Sequence, residues 1–290
     1  MKKTGFWIMV LFFLAGFFGF RAFAGMQASE LKTNPEEYLW NFVDRAEKLT
    51  SVEFIMDLNE RRNGQLSRKK ALFRINYQPH RVYYRQLNPN EGVEVLYVEG
   101  ANSNKAWVNP NAFPWITLHL DPHGSLMRQE HHHTIMDAGF KSIAELVKLQ
   151  LTTNGESIRK KYLGNGLYKG KEVKMVKLIV TDFGYRNYTV KKGENVTSIA
   201  DRFGLSDFMI KEKNPGIDSY SDIKPGDIIR LPTHYARELT LYLDPENWLP
   251  IYVKVVDDQG IFEEFTFTGI KINPSFDKDE FTTGYKEYGF

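Results

Sequence analysis

The sequence predicts an α+β fold, in which helices cover an antiparallel β-sheet and a small βααβ unit is inserted late in the chain. Apolar residues alternate with polar ones at residues 52–58 and again at residues 239–243, as expected for half-buried strands. Residues 39–49 instead place apolar side chains at helical spacing. Residues 188–232 run through a complete strand, helix, helix, strand pattern of their own.

The N-terminus has the pattern of a secretory signal peptide. Lys2 and Lys3 precede an apolar run at residues 6–20, and Ala22-Phe23-Ala24 follows as a cleavage site. An uncleaved anchor is the alternative, because the run is long for a signal peptide. We expect cleavage after residue 24. The chain has no cysteine after the apolar run, so we expect no lipoprotein anchor.

The charge balance and the absence of cysteine argue against several classes of partner and active site. Removing residues 1–24 takes away three basic residues and no acid, so 38 basic residues become 35 against 36 acidic ones. This balance gives no reason to expect a nucleic-acid partner. With 0 cysteines the chain has no disulfide, thiolate metal site or cysteine nucleophile. Export without disulfides favours a bacterial periplasm.

The first half of the chain predicts a helix followed by a meander. Asn34-Pro35 begins the helix, with Pro35 at its first position. The strand at residues 52–58 leads to Asn63-Gly64, a strong hairpin signal. Further strands are predicted at residues 71–77, 81–87, 93–98 and 105–108.

The second half continues with one more helix and the remaining strands. Ser142 and Glu145 predict a capped helix whose apolar face carries Ile143, Leu146 and Val147. Strands follow at residues 160–168 and 172–181. After residue 232 come a strand at residues 239–243 and a hairpin formed by residues 251–256 and 261–272.

Residues 188–232 resemble a LysM module over their whole length. The strand at residues 188–192 ends at Gly193, the first helix ends at Gly204, and Asn214-Pro215-Gly216 stops the second helix. The positions that match the family pattern are Tyr188, Val190, Gly193, Ile199, Ala200, Phe203, Asn214, Pro215, Ile223, Gly226, Ile228, Leu231 and Pro232. Glu194 and Asn195 depart from the usual residues, and residues 216–222 are longer than is common.

The LysM resemblance implies binding to N-acetylglucosamine polymers, meaning peptidoglycan or chitin. Its groove would lie between two loops, formed by Gly193, Glu194, Asn195 and Val196 and by Asn214, Pro215, Gly216 and Ile217. Glycine backbone can approach an N-acetyl group closely, and Val196 or Ile217 can cover its methyl. The alternative is that these residues only close a small domain, which is the interpretation adopted for Ile199, Ala200 and Phe203.

The host around this insert is similar to the periplasmic outer-membrane lipoprotein carriers (LolA-like). The residues that carry the resemblance are Leu243, Asp244, Pro245, Leu249, Pro250, Gly260, Phe265 and Phe281. It implies a curved, incompletely closed half-barrel sheet with covering helices and an apolar cavity for acyl chains. We therefore predict a signal peptide at residues 1–24, a discontinuous host domain at 25–186 and 234–290, and a LysM domain at 187–233. The short linkers predict limited tethering.

Two further groups of side chains are candidate ligand-binding residues, one of histidines and one of tryptophans. His119, Asp121, His123 and His131-His132-His133 could bind a metal, but consecutive histidines point in different directions on a regular element. An exposed polar segment is therefore predicted here, with no metal and no cofactor. Trp40, Trp107, Trp115 and Trp248 are expected to be core residues.

A cell-wall hydrolase targeted by the LysM module is the enzymatic alternative. The chain lacks H-E-x-x-H and G-x-S-x-G motifs. A muramidase needs two facing carboxylates, and nothing in the sequence selects a pair among Glu91, Glu94, Glu130 and Asp137. One carboxylate of Glu263-Glu264 is expected to be solvated.

The sequence thus predicts an exported, non-catalytic envelope protein. Its insert would bind peptidoglycan, and its host domain would bind a lipid, an acylated protein or another envelope partner. A periplasmic protein-interaction or sensor scaffold is the other alternative.

Overall fold

A helix and a meander of six strands open the fold in this computed structural model, which describes residues 34–129, 131–153 and 157–290. The predicted signal peptide lies outside the described residues. The elements are α1 (Pro35–Glu47), β1 (Ser51–Arg62), β2 (Gln65–Tyr77), β3 (His80–Asn88), β4 (Glu94–Val98), β5 (Ala106–Asn109) and β6 (Leu118–Leu120). Two further helices, α2 (Ser125–Arg128) and α3 (Phe140–Thr153), follow the meander.

The second half returns to strands and includes the insert. The hairpin of β7 (Ile158–Tyr168) and β8 (Lys171–Val180) comes first. The insert comprises β9 (Tyr185–Thr189), α4 (Val196–Phe203), α5 (Asp207–Glu212) and β10 (Ile228–Pro232). The last strands are β11 (Glu238–Leu243), β12 (Pro250–Asp257) and β13 (Gly260–Ile272).

Eleven strands form one antiparallel sheet in the order β6-β5-β4-β3-β2-β1-β13-β12-β11-β8-β7. The terminal strands β6 and β7 do not pair with each other, so the curved sheet stays open. Strands β9 and β10 form a separate two-stranded sheet. The predicted fold class is confirmed. Short strand β6 and short helix α2 were not predicted.

The insert leaves and re-enters the large sheet at neighbouring strands. Strand β8 pairs antiparallel with β11, placing Val176 opposite Leu241. The segment between them therefore occupies the position of a hairpin loop. Within the insert Tyr185 pairs with Pro232, so the two ends of its small sheet also lie side by side.

The main core lies between one face of the large sheet and helices α1 and α3. Alternate residues of β1 point to this face, because side chains along a strand alternate in direction. The Phe54 ring lies 5.2 Å from Phe73, 5.3 Å from Phe140 and 5.3 Å from Phe267, centroid to centroid. Helix α3 thus packs directly on the strands at the centre of the sheet.

The C-terminal segment covers the opposite face of the meander. The Tyr83 and Tyr288 rings stack with centroids 3.7 Å apart. The Glu94 carboxylate accepts hydrogen bonds from the Tyr83 hydroxyl at 2.6 Å and from the Gly289 amide at 2.7 Å. None of the helices in the described part of the chain has the length and apolar run needed to span a membrane.

The predicted start of helix α3 was wrong. The helix begins at Phe140, so Ser142 lies in its first turn and cannot form the predicted cap. Phe140 is fully buried and anchors this first turn in the core. Val147 lies in the core as predicted, whereas Ile143 and Leu146 are partly buried and face a cavity.

Candidate functional site

A cavity of about 900 Å³ lies between the main face of the sheet and helix α3. Its size falls within the roughly 300–1,000 Å³ range of small-molecule sites. Most of its wall is apolar, and the sheet and helix residues that form this part include Phe54, Met56, Phe73, Val95, Val253, Phe267, Ile143 and Leu146. The host can therefore hold an apolar ligand.

The insert supplies part of the same wall. Ala200, Gly204 and Leu205 of the insert line the cavity. A side chain at Gly204 would meet the Leu149 Cδ2 atom at 1.9 Å, so helix α4 ends directly against helix α3. Host and insert thus enclose one cavity together.

Charged and hydrogen-bonding side chains form one end of the cavity. This polar end consists of Glu60, Lys69, His131, His132, His133, Tyr235 and Glu263. Strands β1 and β13 pair Glu60 directly with Glu263 on the inward face, and both are buried. The predicted exposed polar segment is therefore wrong for the three consecutive histidines. His119, Asp121 and His123 are exposed, as predicted.

His132 occupies the centre of this polar end. Its Nε2 atom lies 2.8 Å from the Arg61 carbonyl oxygen, and its Nδ1 atom lies 3.2 Å from a Glu263 oxygen. The ring stacks between Phe208 and Phe262, with centroids 4.0 Å and 4.3 Å away. Aromatic packing and hydrogen bonds therefore fix the orientation of this imidazole.

Glu263 binds three neighbours. The Tyr235 hydroxyl donates to its Oε1 at 2.7 Å, and the His133 Nε2 lies 2.9 Å from its Oε2. Burial opposes ionisation of Glu263, but His133 and His132 hold its pKa well below the usual value. Burial likewise disfavours protonated His133, yet the Glu263 carboxylate raises the pKa of His133 to about 9. Of the Glu263-Glu264 pair, Glu263 is thus the buried carboxylate, and Glu264 is partly exposed.

The other carboxylates weighed for hydrolysis do not meet as a pair. Glu264 lies on the other face of β13 and accepts from the Tyr252 hydroxyl and, at 3.1 Å, from Asn59. Glu94 is buried beneath the C-terminal segment, Glu91 is exposed, and Asp137 caps a turn beginning at Thr134. Glu130 lies outside the described residues.

Charged side chains attach the insert to the host. The Arg61 guanidinium contacts Asp257 of the host at 2.5 Å and Glu212 of helix α5 at 3.0 Å. Lys213 contacts Asp258 at 2.9 Å. Met209 of the same helix is fully buried in the main core. The insert is therefore packed against the host, as limited tethering predicts.

The first predicted glycan-binding loop is hydrogen-bonded to the segment that follows the second. The Val196 amide donates to the Tyr220 carbonyl at 2.8 Å, which joins the first loop to the segment that follows the second. Gly193, Pro215 and Gly216 are exposed, and Ile217 is partly buried. These four residues leave backbone and one apolar side chain for a ligand.

The remaining predicted groove residues bind within the insert. Glu194 accepts from the Lys191 amide at 2.8 Å, and Asn195 caps helix α4 by accepting from the Ser198 amide at 2.7 Å. Asn214 clamps helix α5 to β10 by accepting from the Arg230 amide at 2.7 Å. The Val196 side chain is fully buried, which leaves Ile217 of the two residues predicted to cover a ligand methyl.

The tryptophans were expected in the core, and three of them are at least partly buried. Trp40, Trp107 and Trp248 have intermediate exposure. Trp115 is 67% exposed, so that expectation was wrong for it. It lies in the loop between β5 and β6 and has a positive φ of 56°.

Two family models match this chain, and the boundary between the two matches lies at the start of the insert. Residues 50–187 match the family described as "Protein of unknown function (DUF1571)". Residues 188–232 match the LysM domain, which confirms that resemblance. No curated protein matches the sequence.

Solved structures related to this fold come from bacterial proteins. The MucA/MucB complex of Pseudomonas aeruginosa aligns with 13% identity over 86% of this chain and 61% of that one, with a TM-score of 0.42. This chain thus spans less than two thirds of that one. LppX of Mycobacterium tuberculosis, a lipoprotein, aligns with 13% identity over 84% and 97%, with a TM-score of 0.41.

A third similar structure is a LolA superfamily protein from Nitrosomonas europaea. It shares 9% identity over 86% of this chain and 97% of that one, with a TM-score of 0.33.

Proposed function

We propose that this protein is an exported, non-catalytic envelope protein that binds peptidoglycan through its insert and holds an apolar ligand in its host cavity. The observation that carries the proposal is the shared wall of the cavity. One ligand site is enclosed partly by the host and partly by a LysM domain.

The cavity supports an acyl chain as the ligand class. Rings and aliphatic side chains line most of its wall, and charged side chains line the rest, at the polar end and also at Glu145, Asp201 and Asp207. An acyl chain would cover the apolar wall and keep its polar headgroup at the charged end. Each methylene buried there contributes about 0.8 kcal/mol. A free lipid and an acylated protein share this chemistry.

The groove supports glycan binding by the insert. Gly193 and Gly216 leave exposed backbone in its two loops. A single module should bind short sugars weakly, but a polymer repeats the site, so rebinding increases retention. The two sites can then act together, with the glycan holding the carrier in the envelope.

Mass spectrometry of an organic extract tests the cavity assignment. Protein purified from its native envelope is expected to release about one lipid or acyl species per chain. The same protein washed with detergent and refilled from vesicles should regain that species. If protein from the native envelope releases no lipid and takes none from vesicles, the cavity assignment is wrong, and a protein-interaction scaffold becomes the better interpretation.

A further inference from the structure

The polar end of the cavity contains a set of metal-ligand side chains around one shared space. Carboxylate and imidazole atoms of Glu60, His132 and Glu263 all lie within 4.8 Å of one another. All three residues are buried, with 2%, 2% and 1% of their surfaces exposed. Two buried carboxylates facing each other are costly unless positive charge lies close to them, and a bound cation would add to the charge that His133 supplies to Glu263.

In each of these three residues, a neighbouring group forms a hydrogen bond with one polar atom and leaves a second polar atom for the metal. The His132 Nε2–H donates to the Arg61 carbonyl at 2.8 Å, which leaves Nδ1 directed toward the carboxylates. The His132 amide donates to Glu60 Oε1 at 3.0 Å, and Tyr235 donates to Glu263 Oε1. Such outer partners fix the tautomer and orientation of ligands in metal sites.

We propose that Glu60, His132 and Glu263 bind a divalent transition-metal ion of the Zn²⁺ type. Mixed imidazole and carboxylate ligands favour such an ion over Ca²⁺ or Mg²⁺, which prefer oxygen ligands alone. Three protein ligands leave the fourth tetrahedral position open to water or to a ligand in the cavity. His133 lies beside this set, with its Nε2 atom 2.9 Å from Glu263 Oε2.

The distances match a tetrahedral ion with a small adjustment. Zinc bonds of about 2.0–2.2 Å place neighbouring ligand atoms about 3.3–3.5 Å apart. The His132 Nδ1 atom lies 3.2 Å from Glu263 Oε2. The Glu60 ligand oxygen lies within 4.8 Å of the other two ligand atoms, so a rotation of its side chain has to bring it closer by no more than about 1.5 Å.

Zinc titration of untagged, chelator-treated protein, produced from the full-length sequence, tests this site. We expect one Zn²⁺ per chain by calorimetry and a tetrahedral absorption band with Co²⁺, both unaffected by excess Mg²⁺. Because losing an outer partner alone weakens metal binding about 10- to 100-fold, Glu263→Gln and His132→Asn should weaken it more than about 100-fold.

Two control variants make the same substitutions at a histidine and a glutamate outside the proposed metal site. His119→Asn changes an exposed histidine whose Nδ1 lies 2.6 Å from Asn102, and Glu264→Gln changes the neighbouring carboxylate on the other face of β13. Both should bind Zn²⁺ as the unchanged protein does. Circular dichroism checks that each variant is folded.

Two results would overturn the metal site. The first is an unchanged protein that shows no saturable Zn²⁺ binding and no Co²⁺ band. The second is Zn²⁺ binding that survives in folded Glu263→Gln and His132→Asn. The cluster would then be an ion-pair network that closes one end of the cavity. Neither result affects the lipid and peptidoglycan tests of the proposed function.

Discussion

The Arg128 guanidinium donates to both carboxylate oxygens of Asp207, at 2.5 Å and 2.8 Å. Arg128 lies in the short helix α2 of the host, and Asp207 is the first residue of helix α5 in the insert. The arginine also donates to the His132 carbonyl at 2.5 Å. One buried side chain thus joins the insert to the segment that carries the histidines.

Removing the negative charge of Asp207 should lower the free energy of unfolding of the host and insert together. Asp207→Asn leaves the Arg128 guanidinium, whose side chain is 2% exposed, without its anionic partner. Breaking a buried pair in this way costs about 3 kcal/mol, and urea unfolding measures it.

Glu47→Gln is the control for Asp207→Asn. Its pair with Lys148 is 2.6 Å long, but both side chains are about half exposed, at 53% and 49%. Solvent screens this exposed pair, so the change should leave the urea midpoint almost unchanged. Equal stability of the two variants would contradict a buried connection between insert and host.

Gly204 should be intolerant of any side chain. Its φ of 61° strains an L-residue by about 1–2 kcal/mol, and a Cβ atom would meet Leu149 Cδ2. Gly204→Ala is therefore expected to cost more than Gly100→Ala, whose φ is 77° but whose Cβ would meet nothing within 4 Å.

A double-mutant cycle separates strain from the clash at Gly204. Gly204→Ala should cost less in a Leu149→Ala background, because the colliding side chain is gone while the backbone strain remains. The same cost in both backgrounds would show that helices α3 and α4 do not meet as described.

Local signals predicted the strands and the insert well. Asn63-Gly64 joins β1 to β2 as a tight hairpin, and both residues have positive φ, 50° and 76°. The fixed offsets of residues 188–232 predicted the order of all four elements of the insert. The first strand, predicted at residues 188–192, instead spans Tyr185–Thr189, because it pairs with β10 as far as Pro232.

The polar end of the cavity was missed because it depends on the pairing of distant strands. Glu60 and Glu263 are about two hundred residues apart in the chain, yet they meet across β1 and β13. One signal was present: Glu60 continues the inward alternation of Phe54, Met56 and Leu58. A charged residue at an inward strand position indicates a buried partner, and sequence alone could not identify it.

Filling the cavity should prevent ligand binding without disturbing the sheet. Met56 faces the cavity, whereas its neighbour Ile55 lies on the opposite face of β1. Met56→Trp should weaken binding of a fluorescent fatty acid at least about tenfold, which corresponds to about two methylenes excluded from the site.

Ile55→Trp is the matched control for the cavity. It adds the same ring one position along the strand, so its fatty-acid affinity should equal that of the unchanged protein. Equal weakening by both variants would mean that the ring disturbs β1 rather than fills the cavity, and unchanged binding by Met56→Trp would place the ligand elsewhere.

A point variant tests the groove more cleanly than deletion of the insert does. Deletion would remove Met209 from the main core and open the wall formed by Ala200, Gly204 and Leu205. Ile217→Arg changes only a partly buried groove residue. Ile228→Arg, at a position 69% exposed on strand β10, adds the same charge outside both loops.

The measurement that tests the central claim most directly is co-sedimentation of the fatty-acid-loaded protein with peptidoglycan sacculi. We predict that the unchanged protein and Ile228→Arg sediment with their fatty acid and are released by N-acetylglucosamine oligomers. Ile217→Arg should stay in the supernatant with its fatty acid still bound. The account is contradicted if the unchanged protein stays in solution, or if Ile217→Arg sediments as the unchanged protein does.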